Sequence, residues 1–181
     1  FDIHGGGTDL IFPHHENEIA QSEAFLGVAP FARYWLHNGM LQLGGDKMSK
    51  SIGNIYTLRD IVEMGYSPEA LRYLLASVPY RKKLNFTLDG LAAASTAIER
   101  LRNFKLRLET DRYPEAGEPG MAERIAKART QFDEALDDDL NTAEALGAVF
   151  EFVRDANTVM DAGNFAAADA PAALALLARF D

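Results

Sequence analysis

Three consecutive glycines, Gly5-Gly6-Gly7, close a short run of aromatic and β-branched character, Phe1-Asp2-Ile3-His4. The run reads as a strand over 1–4. Glycines directly after a strand mean close approach of the backbone to a ligand, or else a strained turn. Two common phosphate loops are excluded, because G-x-G-x-x-G is absent and no Gly-Lys-Ser/Thr follows. Asp9 comes next, a carboxylate able to accept hydrogen bonds from a ribose or an ammonium group. Pro13 suits the first position of a helix, whose apolar stripe of Ile19, Ala20, Ala24 and Phe25 runs until Gly27. A strand that passes through glycine into a helix is an α/β crossover. Open α/β sheets bind ligands at the carboxyl ends of their strands.

The helix that follows carries His14-His15-Glu16-Asn17-Glu18. His14 and Glu18 are four apart and project from one face, so they can either share a metal ion or form a surface hydrogen bond. The string is not H-E-x-x-H, which excludes the zinc-protease pattern. Phe31 to Met40 reads as the next strand, with Tyr34, Trp35 and Leu36 as core and His37 and Asn38 at its end. His37 fits a structural histidine and a site residue equally well. Lys47-Met48-Ser49-Lys50-Ser51 then lies between Gly44-Gly45-Asp46 and Ile52-Gly53-Asn54. Two lysines three apart between glycines suit a mobile loop closing on an anion, although an arbitrary K-x-x-K is more often a solvated basic turn.

Downstream the periodicity turns helical. Thr57 caps a helix through Met64, and Ser67-Pro68 starts another with Ala70, Leu71, Leu74 and Leu75 buried. Tyr80 to Asn85 reads as a basic connector. Thr87 opens a long helix with Leu91, Ile98, Leu101 and Leu108 at helical spacing. A polar loop over 110–120 precedes helices at about 121–136 and 142–161, and the Ala-rich end, Ala166 to Ala178, reads as one more. The second of these opens with the capping arrangement Asn141-Thr142-Ala143-Glu144. Asp137-Asp138-Asp139 before it places negative charge near a helix amino end, a structural role preferred here to calcium binding. From about residue 86 the pattern is an antiparallel helical bundle.

Charge divides the chain the same way. The net charge is −9, which argues against broad nonspecific nucleic-acid binding. Residues 1–108 hold 12 Lys and Arg against 11 Asp and Glu, whereas 109–181 hold 6 against 16. A surface for RNA therefore belongs on the first part, around Arg81-Lys82-Lys83 and Arg100, Arg102, Lys105 and Arg107. No cysteine is present, so disulfides and thiolate metal ligands are excluded. No apolar run approaches the roughly 20 residues of a membrane span. The chain starts at Phe1 and stops within an apolar helical pattern, and it reads as part of a longer protein.

Three stretches together carry a resemblance. Residues 1–18 (FDIHGGGTDLIFPHHENE), the loop Lys47–Ser51 and Asp137-Asp-Asp-Leu-Asn-Thr142 resemble the bacterial-type cysteinyl-tRNA synthetase family of class I aminoacyl-tRNA synthetases. The first motif is the specific one, since many class I synthetases share the lysine loop. The resemblance implies α/β followed by all-α: the second half of a Rossmann-type catalytic domain over 1–44, a lysine-loop and stem-contact region over 45–85, and a helical bundle over 86–181. It implies ATP-dependent activation of L-cysteine, with Mg2+, and transfer to tRNA(Cys) by a cytoplasmic protein, monomeric at full length. His14 and Glu18 match two zinc ligands of the family, whose other two ligands are upstream cysteines. His4, Gly5, Gly7, Asp9 and His37 match its ATP and aminoacyl-adenylate pocket, together with Met48, Ser49 and Ser51. Lys47 and Lys50 match its catalytic lysines.

The His-Ile-Gly-His motif, the first Rossmann half and both cysteine ligands are absent from these residues. The stretch by itself is therefore expected to be inactive, with a weak zinc site. Two rival readings are a cysteine ligase of mycothiol biosynthesis, acting on an amino-sugar inositol, and a non-catalytic tRNA-binding module. The Asn17-Glu18 ending and the stretch at 137–142 fit the tRNA enzyme better than the mycothiol enzyme.

Overall fold

The computed structural model describes residues 1–47, 53 and 55–180, with backbone only for Asp46 and Lys47. The chain divides into two compact units: residues 1–57 with 80–87, and residues 58–79 with the remainder from 88.

The first unit holds two small sheets. Strand β1, Ile3–Gly7, pairs in parallel with β2, Tyr34–Asn38. Parallel strands need a crossover, and helix α1, Glu16–Leu26, supplies it. β1 runs through all three glycines rather than stopping at His4, and β2 is shorter than the 31–40 expected. Pro13 does not open α1. It sits in a wide turn over Ile11–His15, with Phe12 held extended at φ −133° and ψ 134°, the conformation favoured before proline. Regular helix begins only at Glu16. It ends at Gly27 as expected, in the left-handed conformation at φ 65°, the Gly27 N–H donating to the Glu23 carbonyl at 2.9 Å.

The second sheet has the order β4-β3-β5. Strand β3, Leu41–Leu43, forms a hairpin with β4, Asp46–Lys47, through Gly44 and Gly45 at φ 63° and 92°. Both central positions need positive φ, so these glycines shape a tight turn. β5, Leu84–Phe86, pairs in parallel with β3. The stretch Tyr80–Asn85, expected to be a connector, therefore ends in a strand.

The second unit is helical. It comprises α2 (Leu58–Glu63), α3 (Pro68–Ala76), α4 (Leu88–Thr110), α5 (Met121–Asp137), α6 (Thr142–Asp161) and α7 (Ala170–Phe180). Ser67 caps α3 through its Oγ, which accepts from the Ala70 N–H at 3.2 Å. Asn141 and Glu144 cap α6 reciprocally: Oδ1 of Asn141 accepts from the Glu144 N–H, and its Nδ2 donates to the Glu144 carboxylate at 2.8 Å. The connection from α5 to α6 is short and makes an antiparallel hairpin. Within it Asp139 and Leu140 both take positive φ, 53° and 56°.

Phe104, Met121, Ala128, Val149, Phe152, Val153, Ala156 and Phe165 are buried in the core shared by α4 to α7. Phe104 meets Phe152 edge to face, and Phe165 lies against the Tyr113 ring at 4.7 Å. Outside it, Arg107 bridges α4 to α6, donating to Asn157 at 2.6 Å and Asp161 at 2.8 Å. Among the described residues no helix is long and apolar enough to cross a membrane.

Candidate functional site

Chemistry-bearing side chains converge along β1 and β2 beside the start of α1. The register pairs His4 with Trp35, Gly6 with His37, and Gly7 with Asn38. The His4 ring meets the Trp35 ring edge-on at 4.9 Å, and Nε2 of His4 lies 2.8 Å from Oε2 of Glu18. That contact engages one carboxylate oxygen of Glu18. The other, Oε1, lies 3.6 Å from Nε2 of His14 one helical turn away. His14 is exposed, Glu18 and His4 half-buried.

His15 occupies the opposite side of the same turn and is 3% exposed. Its Nδ1 lies 2.8 Å from Nε2 of His37, so one proton is shared between the two rings along that line. Burial pushes the His15 pKa below the ordinary histidine value, and the neighbouring His37 charge pushes it further. Trp35 completes the cluster, 5.0 Å from the His15 ring and stacked within 5° of the His37 plane.

The glycines make this packing possible. A Cβ on Gly6 would sit 3.1 Å from Cε1 and 3.3 Å from Nε2 of His15. One on Gly7 would overlap the Asp9 carboxylate, which folds back over the strand end. One on Gly5 would crowd the Leu36 carbonyl at 3.1 Å across the sheet.

Of the residues singled out from sequence, the structure thus brings His4, His14, Glu18 and His37 together, with Gly5, Gly7 and Asp9 at the same strand ends. Lys47 has a defined backbone, opposite Gln42 in the hairpin. Met48, Ser49, Lys50 and Ser51 lie outside the described residues. Two members of the cluster are not singled out by the sequence pattern. The i,i+4 rule selects His14 and passes over His15, and Trp35 reads only as core. The adjacency of two histidines is the available signal: consecutive helical residues face different sides, so one of the pair has to point inward. Tyr34, expected in the core, is 67% exposed. Phe25 of the α1 stripe is 89% exposed.

The donor set can be tested against a metal. Tetrahedral zinc with ligands at about 2.0–2.2 Å places two donor atoms about 3.4 Å apart. The 3.6 Å between His14 Nε2 and Glu18 Oε1 fits that spacing. A second grouping, His4, His15 and Glu18, has its donor atoms within a wider 4.8 Å. His4 is better placed to hold the carboxylate than to share an ion with it, since its nitrogen is already at hydrogen-bond distance from Oε2. The residues fit half of a zinc donor set.

Comparison with known proteins gives the site a context. The family model for the class I (C) tRNA synthetase catalytic domain matches residues 1–96, and the DALR domain model matches 131–181. The chain is 63% identical to a protein of Solibacter usitatus called cysteine--tRNA ligase, over 99% of this chain and 38% of that relative. It is 50% identical to one of the same name from Koribacter versatilis, over all of this chain and 36% of the relative. The chain therefore spans a little over a third of the length of these relatives. Its fold is similar to that of a Mycobacterium tuberculosis methionyl-tRNA synthetase in complex with methionyl-adenylate, with a TM-score of 0.68 at 21% identity over 99% of this chain and 40% of that one. An Agrobacterium radiobacter LeuRS in complex with tRNA and LeuAMS gives a TM-score of 0.76 at 20% identity, covering 99% of this chain and 25% of the other. At these identities the likeness is one of fold.

Proposed function

We propose, for a chain that belongs to the class I (C) tRNA synthetase catalytic-domain family, that the full-length protein activates L-cysteine with ATP and transfers it to tRNA(Cys). The observation that carries this reading is the His14–Glu18 donor pair beside β1, with Glu18 held by His4. The relatives called cysteine--tRNA ligase support it. The functional division would then follow the sequence: catalytic half to residue 44, lysine loop and stem contact over 45–85, helical bundle from 86.

In the first step a cysteine carboxylate oxygen attacks the α-phosphorus of ATP, and pyrophosphate leaves. In the second the terminal hydroxyl of the tRNA takes the aminoacyl group, and AMP leaves. His14 and Glu18 would supply two of the ligands of a zinc ion, which when bound takes the substrate thiolate as a ligand and so separates cysteine from serine. His4 orients the Glu18 carboxylate. Gly5 and Gly7 allow the adenylate close to the strand ends, and Asp9 accepts a hydrogen bond from it. His37, fixed by His15, lines the pocket. Lys47 and Lys50 would neutralise the charge that grows on the phosphates in the transition state, a task Mg2+ would share when bound, with Met48, Ser49 and Ser51 of the same loop as further contacts. The protein would work as a cytoplasmic monomer.

The test is ATP–pyrophosphate exchange by the full-length protein, with serine as the control amino acid. Exchange with cysteine alone, followed by charging of tRNA(Cys), is expected. Absence of exchange in folded, zinc-loaded protein would overturn the reading.

A further inference from the structure

Two clusters of basic residues could face an RNA, and the structure separates them. In the helical unit the cations are already engaged. Arg107 donates to Asn157 and Asp161 and lies 3.4 Å from Asp111. Arg102 lies 3.8 Å from Glu69, Lys105 3.9 Å from Glu109, and the Arg100 guanidinium sits over the Phe150 ring at 5.7 Å. An RNA phosphate would have to displace these partners, including four carboxylates.

The run Arg81-Lys82-Lys83 in the first unit is different. All three residues are exposed, and among the described residues neither Lys82 nor Lys83 has an acidic partner. Arg81 stacks over the Tyr80 ring at 5.3 Å, which holds the side chain on an aromatic face. The backbone beneath is clamped on both sides. The Gly39 N–H donates to the Tyr80 carbonyl at 2.6 Å, and the Leu84 N–H to the Met40 carbonyl at 3.2 Å. A Cβ on Gly39 would overlap the Lys82 carbonyl, so glycine at 39 is what lets the basic run lie directly against the sheet. Gly39 is the residue after Asn38, which ends β2 opposite Gly7. The cations are thus anchored one residue beyond the strand end that carries the site.

We propose that Arg81, Lys82 and Lys83 form a phosphate-docking strip for the RNA substrate, guiding its backbone past the end of β2 to the reacting carboxyl group. This rests on the function proposed above. A strand end clamped to the strip converts a phosphate contact into a position for the nucleotide beyond it, and two unpaired lysines bind phosphate without first breaking an ion pair.

The experiment measures binding of a tRNA(Cys) transcript to the full-length natural protein across a salt series, alongside cysteine-dependent ATP–pyrophosphate exchange. Lys82→Gln with Lys83→Gln should flatten the slope of log affinity against log salt by about 2, one for each phosphate that no longer meets a lysine. Exchange should be unchanged. Arg102→Gln, which removes a paired cation, should leave the slope as it is. An unchanged slope in the double variant would overturn the proposal, as would a slope that responds to Arg102→Gln instead. Loss of exchange together with RNA binding would also overturn it, by showing that the lysines serve activation or folding. If the unaltered protein fails to exchange with cysteine, it is the proposed function that falls; the salt slopes still decide whether the strip binds RNA.

Discussion

Gly6→Ala tests the construction of the site directly. Gly6 does not have a positive φ, so alanine suits the backbone and by itself should stabilise by about 0.4–1 kcal/mol through the unfolded chain. The opposing effect is steric. The new Cβ would meet Cδ1 of Leu10 at 2.8 Å, but that is the end of a flexible side chain 37% exposed, and it can swing aside. His15 cannot. Its ring is bonded to His37 and packed between the His4 and Trp35 rings at 5.1 and 5.0 Å. Relieving the 3.1 Å contact requires the ring to retreat by a few tenths of an ångström, which strains the His15–His37 bond. Overpacking of this kind costs about 1–3 kcal/mol, so the net loss expected is about 1–2 kcal/mol. Urea unfolding followed by Trp35 fluorescence reads it, because Trp35 is the single tryptophan and touches the cluster. In a His15→Ala background the steric cost should vanish and the same substitution should become stabilising by about 0.4–1 kcal/mol, a coupling of about 1–3 kcal/mol. Additivity of the two changes, or a Gly6→Ala protein as stable as the original, would refute the claim that glycine at 6 makes room for His15.

Two further predictions concern the helical unit. Phe165→Ala should destabilise by about 3–5 kcal/mol in urea unfolding followed by far-UV circular dichroism, since Phe165 is 0% exposed and packs on Tyr113; a loss under about 1 kcal/mol would mean the site collapses freely. Leu140→Gly should raise stability by about 0.5–1 kcal/mol in the same assay, because a leucine at φ 56° carries left-handed strain and its side chain is half exposed; destabilisation would show that the exposed leucine contributes more by packing than it costs in strain.

What can be read from the sequence depends on how local each signal is. The Gly27 helix stop, the Ser67 and Asn141 caps and the long amphipathic helices are set by residues within a few positions of one another, and the structure has them. The His14–Glu18 pair is equally local. β5 is hidden because three of the six residues around it are cations, and because its partner β3 lies some forty residues upstream. The role of His15 depends on the register of β2, which brings His37 alongside it, and no spacing within α1 encodes that. Phe25 and Tyr34 depart from expectation for a related reason: an apolar pattern says that a face can be covered, whereas exposure depends on which element is there to cover it.

The pairing of β3 with β5 has a consequence for handling the molecule. Between these strands the chain leaves the first unit at residue 57, contributes α2 and α3 to the second, and returns at residue 80. Each unit is therefore threaded through the other in sequence, and no single cut releases either one whole. A graft that exchanged the helical unit between two homologues would need junctions near 57/58, 79/80 and 87/88 at once. During synthesis the small sheet cannot close until Phe86 has left the ribosome, by which time α2 and α3 are already outside. A truncation that stops before residue 80 would leave Gly39 and Met40 without the Tyr80 carbonyl and the Leu84 amide they bond, just beyond the end of β2.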